Sequence, residues 1–329
     1  MKLLGDSEEV VRAMALMSFG ASCAVRRPEV LPDEVAEALR SLVGSERAAT
    51  RNAVASTAIY LGPLLVPLVP ELLARAVVEP DASNRYLFAI ALSNAAPDDP
   101  AVLAWLLRLL DDTREKVRSA AAIGLGKFEN ASAPVAERLR SIATNEQEAA
   151  SVRTSAAESL SSCVVNPEQA ESALVAVLGV KEQYHEVELY RWIEALGRLA
   201  PRAPAGESVG RARKELDEAS RSEHEEMVAS ATIGLARMAF ATRDEGLGKR
   251  LAEGLRARLP AIREAVQNDE DDELFSPEMM RAIEAMVVLA AWPEMEIPVD
   301  KLRAVLEAVQ SSTYRWEREW AAKQLATLP

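Results

Sequence analysis

The stretch "LDDTREKVRSAAAIGLGKF" (110–128) opens on acids, reaches Val117-Arg118, then runs through small and apolar residues that close on Gly. Arg118 stands seven residues before Leu125. The same step recurs at Arg12 to Phe19, Arg85 to Leu92, Arg153 to Leu160, Arg281 to Val288 and Arg318 to Leu325. Arg51 to Ala58 fits it less well. Leu189 and Val228 take the arginine's place ahead of Leu196 and Leu235. Spacings between these positions are mostly 33–39 residues, with one of 53 between Val228 and Arg281. A period in that range with helical patterning is the signature of a solenoid.

Each unit reads as two helices. Apolar helices are expected at about 33–43, 64–78, 101–110, 133–143, 168–178, 208–219, 247–266 and 299–310, each followed by a second helix carrying the arginine or its substitute. Helix-start punctuation supports the division: "PDE" at 32–34, "APDDP" at 96–100, "NPEQ" at 166–169 and "SPEM" at 276–279. One helix pair cannot bury its apolar stripe alone, so stacking on neighbours must supply the core. Hydrophobic residues are 49% of the 329, but only 5% are aromatic, so Ala, Val and Leu must build that core. The expected fold is all-α, an α-α superhelix of about eight to nine helix-pair repeats in one curved array over 1–329.

The repeat resembles the HEAT-repeat family, whose second helix begins after an acid, has Val-Arg, then Ala and a closing Ala-Leu-Gly. "DDTREKVRSAAAIGLG" (111–126) and "DSEEVVRAMALMSFG" (6–20) carry the likeness. In that family an Asp six residues before the arginine contacts the neighbouring repeat. Asp6 with Arg12, Asp112 with Arg118 and, with Glu, Glu79 with Arg85 keep the spacing; Ser45, Gln147 and Ser312 stand in the acid's place elsewhere. The resemblance implies that the arginines bond between repeats rather than hold a ligand. It implies no single task, because such arrays serve many.

The formal net charge is −13, divided as −4 over 1–164 and −9 over 165–329. Nucleic-acid binding rests on a basic footprint, so DNA and RNA are not the expected partners. Cys23 and Cys163 sit far apart in apolar helical contexts and read as buried reduced thiols. The N-terminus lacks the apolar core of a signal peptide, and "LGPLLVPLVPELLARAVV" (61–78) has three prolines and ends in charge, so no membrane span is expected. A cytoplasmic protein follows. "MKLLG" (1–5) reads as the tail of a first helix, and "WEREWAAKQLATLP" (316–329) as a second helix with nothing after it. Three accounts stay open: a piece of a longer array, an end covered by another chain, or a last helix that caps itself through Trp316 and Trp320. The acidic run "NDEDDE" (268–273) is expected as a solvated loop and possible hinge at 268–276.

Both histidines precede Glu, in His185-Glu186 and His224-Glu225, and each lies eleven residues before the Leu of its repeat. This is similar to deoxyhypusine hydroxylase, a HEAT-like enzyme whose His-Glu pairs hold two irons. That family uses four pairs, set deeper in the helix, and this chain has two. Adjacent helices pack about 10 Å apart, too far for these histidines to share one metal. No metal or other cofactor is expected, and the pairs instead suit helix N-termini, where negative charge is favourable. HEAT-like alkylpurine DNA glycosylases carry a basic concave face with Trp, Asp and Arg, which the charge here opposes. Trp192, in register with Ala121, reads as core. Phycobilin lyases share the repeat pattern without a diagnostic residue, and no HExxH, CxxC, GxSxG or P-loop sequence occurs.

Second helices usually line the concave side of such arrays. In register with Ala120, Ile123 and Lys127, the exposed inner positions of 183–200 are Arg191, Glu194 and Arg198. The arginine ladder breaks in this repeat and the next, which makes 183–230 the expected functional surface. His185, Tyr190, Arg191, Glu194, Arg198 and His224 are its expected partner-binding residues. The function expected is a non-enzymatic scaffold holding a protein or peptide. An accessory subunit or regulatory domain of an enzyme complex is the alternative, followed by a HEAT-like hydroxylase or glycosylase.

Overall fold

A computed structural model of the chain describes residues 2–25, 28–128, 133–164, 166–185, 188–267, 276–312 and 314–329. Among the described residues every regular element is helical. The chain divides into two compact units, Met1–Cys163 and Val164–Pro329. In the first, α1 (Glu9–Val25) is followed by four pairs: α2 (Asp33–Val43) with α3 (Ala48–Leu61), α4 (Val69–Val77) with α5 (Ala82–Ala95), α6 (Pro100–Leu109) with α7 (Glu115–Leu125), and α8 (Ala133–Thr144) with α9 (Ala150–Cys163). The second holds α10 (Pro167–Leu178) with α11 (Leu189–Leu199), α12 (Glu207–Ala219) with α13 (Glu225–Thr242), α14 (Glu245–Gln267) with α15 (Pro277–Ala290), and α16 (Val299–Val309) with α17 (Arg315–Thr327). The expected helix pairs are all present. The long gap after Val228 is filled by α14, which runs 23 residues. The run at 268–276 lies, apart from Ser276, outside the described residues.

Three of the four helix-start signals act through their side chains. Asp99 accepts from Ala101 and Val102 N–H, Asn166 from Gln169 N–H, and Ser276 from Met279 N–H, each with Pro next in the chain. Each cap satisfies donors that the first helical turn would otherwise leave open, worth about 1 kcal/mol. Pro32 offers no such bond to α2. The helix expected at 64–78 is shorter than the apolar pattern suggested. Residues Gly62–Leu68 form a 3-10 segment before α4, with Pro67 inside it, because proline brings no N–H to an α-helical ladder. This corrects the sequence reading.

The stretch 48–77 is long and apolar enough to span a bilayer by length and composition alone. It is interrupted at Gly62, where φ is 52°. Leu61, Leu65, Leu68 and Leu72 along it are fully buried in the repeat core. Cys23 and Cys163 are free and buried. Burial pushes the Cys163 thiol up to about 12. At the two ends, Val10, Met14 and Met17 leave an exposed apolar stripe on α1, while Trp316 is half exposed. Trp320, four residues on, packs against the core and donates its indole N–H to Glu284.

Second helices stack on second helices through small residues at a fixed register. A methyl placed on Gly20 would lie 3.0 Å from Thr57 Cα, on Gly124 3.1 Å from Ser93 Cβ, on Gly126 2.9 Å from Ser159 Cα, and on Gly197 2.7 Å from Gly234 Cα. In each pair one residue stands eight after the arginine position of its repeat and the other six after that of the next. Hence the motif closes on glycine: the backbones of neighbouring second helices meet there, and a side chain has no room.

The arginine ladder is real, but its wiring differs from the expectation. Arg12, Arg51, Arg85, Arg118 and Arg318 each donate Nη1 to the backbone carbonyl six residues back, that of Asp6, Ser45, Glu79, Asp112 and Ser312. The side chain at that position is irrelevant to the bond, so Ser serves as well as Asp. The acid at that position, or Glu148 one residue beyond Gln147, instead receives the arginine of the preceding repeat. Arg51 bonds Glu79 at 2.7 Å, Arg85 bonds Asp112 at 2.7 Å, and Arg118 bonds Glu148 at 2.6 Å. Arg118 therefore does not pair with the Asp112 carboxylate, as the spacing had implied. Arg51, the weakest match in sequence, makes the most deeply buried pair, with side chains 4% and 0% exposed.

Candidate functional site

In the unit 164–329 the ladder gives way to a different arrangement. Leu189 and Val228 open α11 and the second turn of α13, so the ladder position carries no arginine in those two repeats. At Arg281 on α15 the arginine returns, but the next repeat has Ser312 in the acid's place, and Ser312 donates to Glu317. Arg281 turns elsewhere. Its Nη2 lies 3.6 Å from Glu194 Oε2 on α11, and its guanidinium sits 5.5 Å from the Tyr190 ring centroid. Side chains from α11 and α15 thus meet past the intervening α13. Helices two repeats apart can touch only on the inner side of a curve, so the second-helix face is the inward face of this unit.

The charged chain continues along that face. Arg198 donates to Glu194 at 2.6 Å, one turn apart on α11. Arg237 on α13 lies 3.8 Å from Glu284 on α15, and Glu284 accepts the Trp320 indole N–H from α17 at 2.9 Å. Burial, first, pulls the Arg237 pKa below its ordinary value. Glu284 and Glu194 oppose that shift, and the nearby Arg198 and Arg202 reinforce it. Its guanidinium stays charged at neutral pH regardless. Arg281 Nη1 is buried with no hydrogen-bond partner.

The six residues expected at the site therefore divide. Tyr190, Glu194 and Arg198 share the inward face with Arg281. Arg191 stands near the helix start, 3.8 Å from Glu188, and its template position, Ala120, is fully buried rather than exposed. His185 and His224 lie exposed just ahead of α11 and at the start of α13, in equivalent places. Glu186 falls outside the described residues. Among those described, no group of three His, Cys, Asp or Glu side chains is placed to hold a metal. Trp192 is core, with its N–H donated to Val177 O at 2.7 Å.

Sequence reasoning misses Arg237 and Glu284, and gives Arg281 and Trp320 other roles, a ladder rung and an end cap. For Arg237 the signal was present: it stands nine residues after Val228, the register that Arg198 and Lys127 occupy in their repeats. Arg281 was legible only as one more rung of the ladder. Its different role depends on Ser312 in the following repeat.

Helix pairs stacked through their second helices, with an arginine in register, define an α-solenoid. A family model described as HEAT repeats matches residues 69–161, so the helices from α4 to α9 are HEAT repeats. No curated protein matches it. Among solved structures, an engineered protein is similar over 99% of this chain and 87% of its own, at 17% identity and a TM-score of 0.47. Kap121p bound to Nup53p is similar at 14% identity and a TM-score of 0.44, and Kap121p bound to the extreme C-terminus of the protein phosphatase Cdc14p at 13% and 0.44. This chain covers 40% of Kap121p in each case.

Proposed function

We propose that the protein is a non-enzymatic interaction scaffold, and that the second-helix face of the unit 164–329 holds a protein or peptide segment. The carrying observation is the continuous run of polar and aromatic groups from Tyr190, Glu194 and Arg198 through Arg237 to Arg281, Glu284 and Trp320. These groups span four helices on one inward face, an extent suited to a chain segment rather than a small molecule. Charges of both signs alternate there, which suits a polypeptide better than a uniform phosphate backbone. A cytoplasmic setting belongs to the same proposal, supported by the two buried free thiols.

The test is site-specific photocrosslinking in an extract of the source cells. A crosslinker at Tyr190 or Glu194 should capture a discrete polypeptide. One at Lys214, on the exposed side of α12, should not. The inner-face product should fade when Arg198 and Arg237 are both changed to Glu. Indistinguishable products from inner and outer positions would remove the proposal.

A further inference from the structure

We infer that the inward face around Arg237 and Arg281 anchors a side-chain carboxylate, so that the segment held there is acidic. The inference rests on the scaffold reading and names the chemistry of what is held. Arg198, Arg202 and Glu194 and Glu284 are the charges that surround Arg237, and Arg281 adds a fourth guanidinium through Glu194. With Glu278, which lies near Arg281 and is held by Ser276, three carboxylates thus face four guanidiniums, on a chain whose net charge is −13.

The other two carboxylates are engaged as well. Glu194 accepts from Arg198 at 2.6 Å, and Glu284 accepts from Trp320 at 2.9 Å. What remains for Arg281 and Arg237 are approaches of 3.6 and 3.8 Å, beyond hydrogen-bond length. Arg281 Nη1 has no acceptor at all, although it is buried. A buried donor without an acceptor weighs against the folded state, and the guanidinium, whose side chain is 17% exposed, relieves it by turning Nη1 out to an incoming carboxylate. A carboxylate presents two oxygens in the geometry of a guanidinium fork. Glu194 and Glu284 flank the arginines and repel a string of closely spaced phosphates, whereas one carboxylate fits between them. Tyr190 beside Arg281 and Trp320 beside Glu284 add surfaces on which the aliphatic part of a peptide can rest.

The experiment titrates the whole chain, by fluorescence anisotropy at physiological salt, with labelled Glu-Ala, Gln-Ala and Lys-Ala repeat peptides of equal length and with single-stranded DNA of matched charge. The Glu-Ala peptide should bind at least about tenfold more tightly than the Gln-Ala peptide, as expected for a charge-assisted contact. Arg237→Gln and Arg281→Gln should each weaken it about tenfold or more, and Arg281→Lys should lose part of that by losing the fork. Arg303→Gln, whose guanidinium binds Pro329 O elsewhere, should change nothing. The thermal midpoint of Arg237→Gln should be unchanged or raised, because it removes a partly desolvated cation. A purely structural arginine would lower it. Equal affinity for the Glu-Ala and Gln-Ala peptides overturns the anchor, as does loss of binding only where the variant also unfolds. Preference for DNA overturns it too. If the Glu-Ala peptide binds as described but the crosslinks at 190 and 194 are absent, the anchor stands and the scaffold reading fails.

Discussion

Arg51 and Arg118 occupy the same place in the repeat, yet their partners set very different energies. Arg51 and Glu79 are almost wholly shielded from water, whereas the Arg118 and Glu148 side chains are 18% and 15% exposed. Removing one partner of a buried ion pair strands the other charge, at a cost of about 3–5 kcal/mol. Arg75, 3.2 Å from Glu79, keeps that carboxylate partly paired. Arg51→Ala should therefore destabilise the protein by the lower end of that range, about 3 kcal/mol, and Arg118→Ala by less, about 1–2 kcal/mol, typical of a lost charged hydrogen bond. Urea titrations should rank them in that order; equal losses would contradict the wiring described. From sequence, Arg51 looked like the poorest rung because Ala58 follows it. The pattern along one helix could not reveal that its strength comes from Glu79 in the next repeat. Likewise Asp112 was paired with Arg118 by spacing, when its carboxylate belongs to Arg85 and only its carbonyl serves Arg118.

Helices were legible where local chemistry decides them. Asp99, Asn166 and Ser276 are each followed by proline, and each caps the helix it was expected to start. The register of stacking was legible only in part, since the closing glycine looked like punctuation rather than a contact. Its role separates two substitutions of the same kind. Gly197→Ala forces a methyl to 2.7 Å from the Gly234 backbone, and neither chain can move without shifting a helix. Overpacking of this kind costs about 1–3 kcal/mol. Gly254→Ala lies in the interior of α14 with nothing within 4 Å of the added carbon. It should stabilise by about 0.5–1 kcal/mol through helix propensity and a less flexible unfolded chain. Opposite shifts in thermal midpoint are expected; an unchanged or raised midpoint for Gly197→Ala would mean that α11 and α13 do not meet at their glycines.

At the scale of the whole chain, the two units are held by different chemistry, and acid should tell them apart. In 1–163 the ladder carboxylates Glu79, Asp112 and Glu148 all have lowered pKa values. For Glu79 and Asp112 burial works against ionisation but is outweighed by arginine and backbone N–H bonds; for Glu148 the Arg118 bond is the largest cause. A carboxylate whose folded pKa is depressed adds stability above its unfolded pKa, about 4, and loses it as pH falls through the folded value. Among the described residues of 164–329 the lowered carboxylates are Asp244, one-third exposed and held chiefly by Leu247 N–H, and Glu278, held chiefly by Ser276. Neither bridges second helices as the ladder acids do. The expected outcome is that acidification below about pH 4 loosens residues 1–163 before residues 164–329. Brief digestion with pepsin at stepped acid pH, followed by mass analysis, should yield first cuts within the ladder repeats, and Glu79→Gln should lessen the pH dependence by removing one titrating rung. First cuts in 164–329, or an unchanged profile in that variant, would show that the ladder does not set the acid limit.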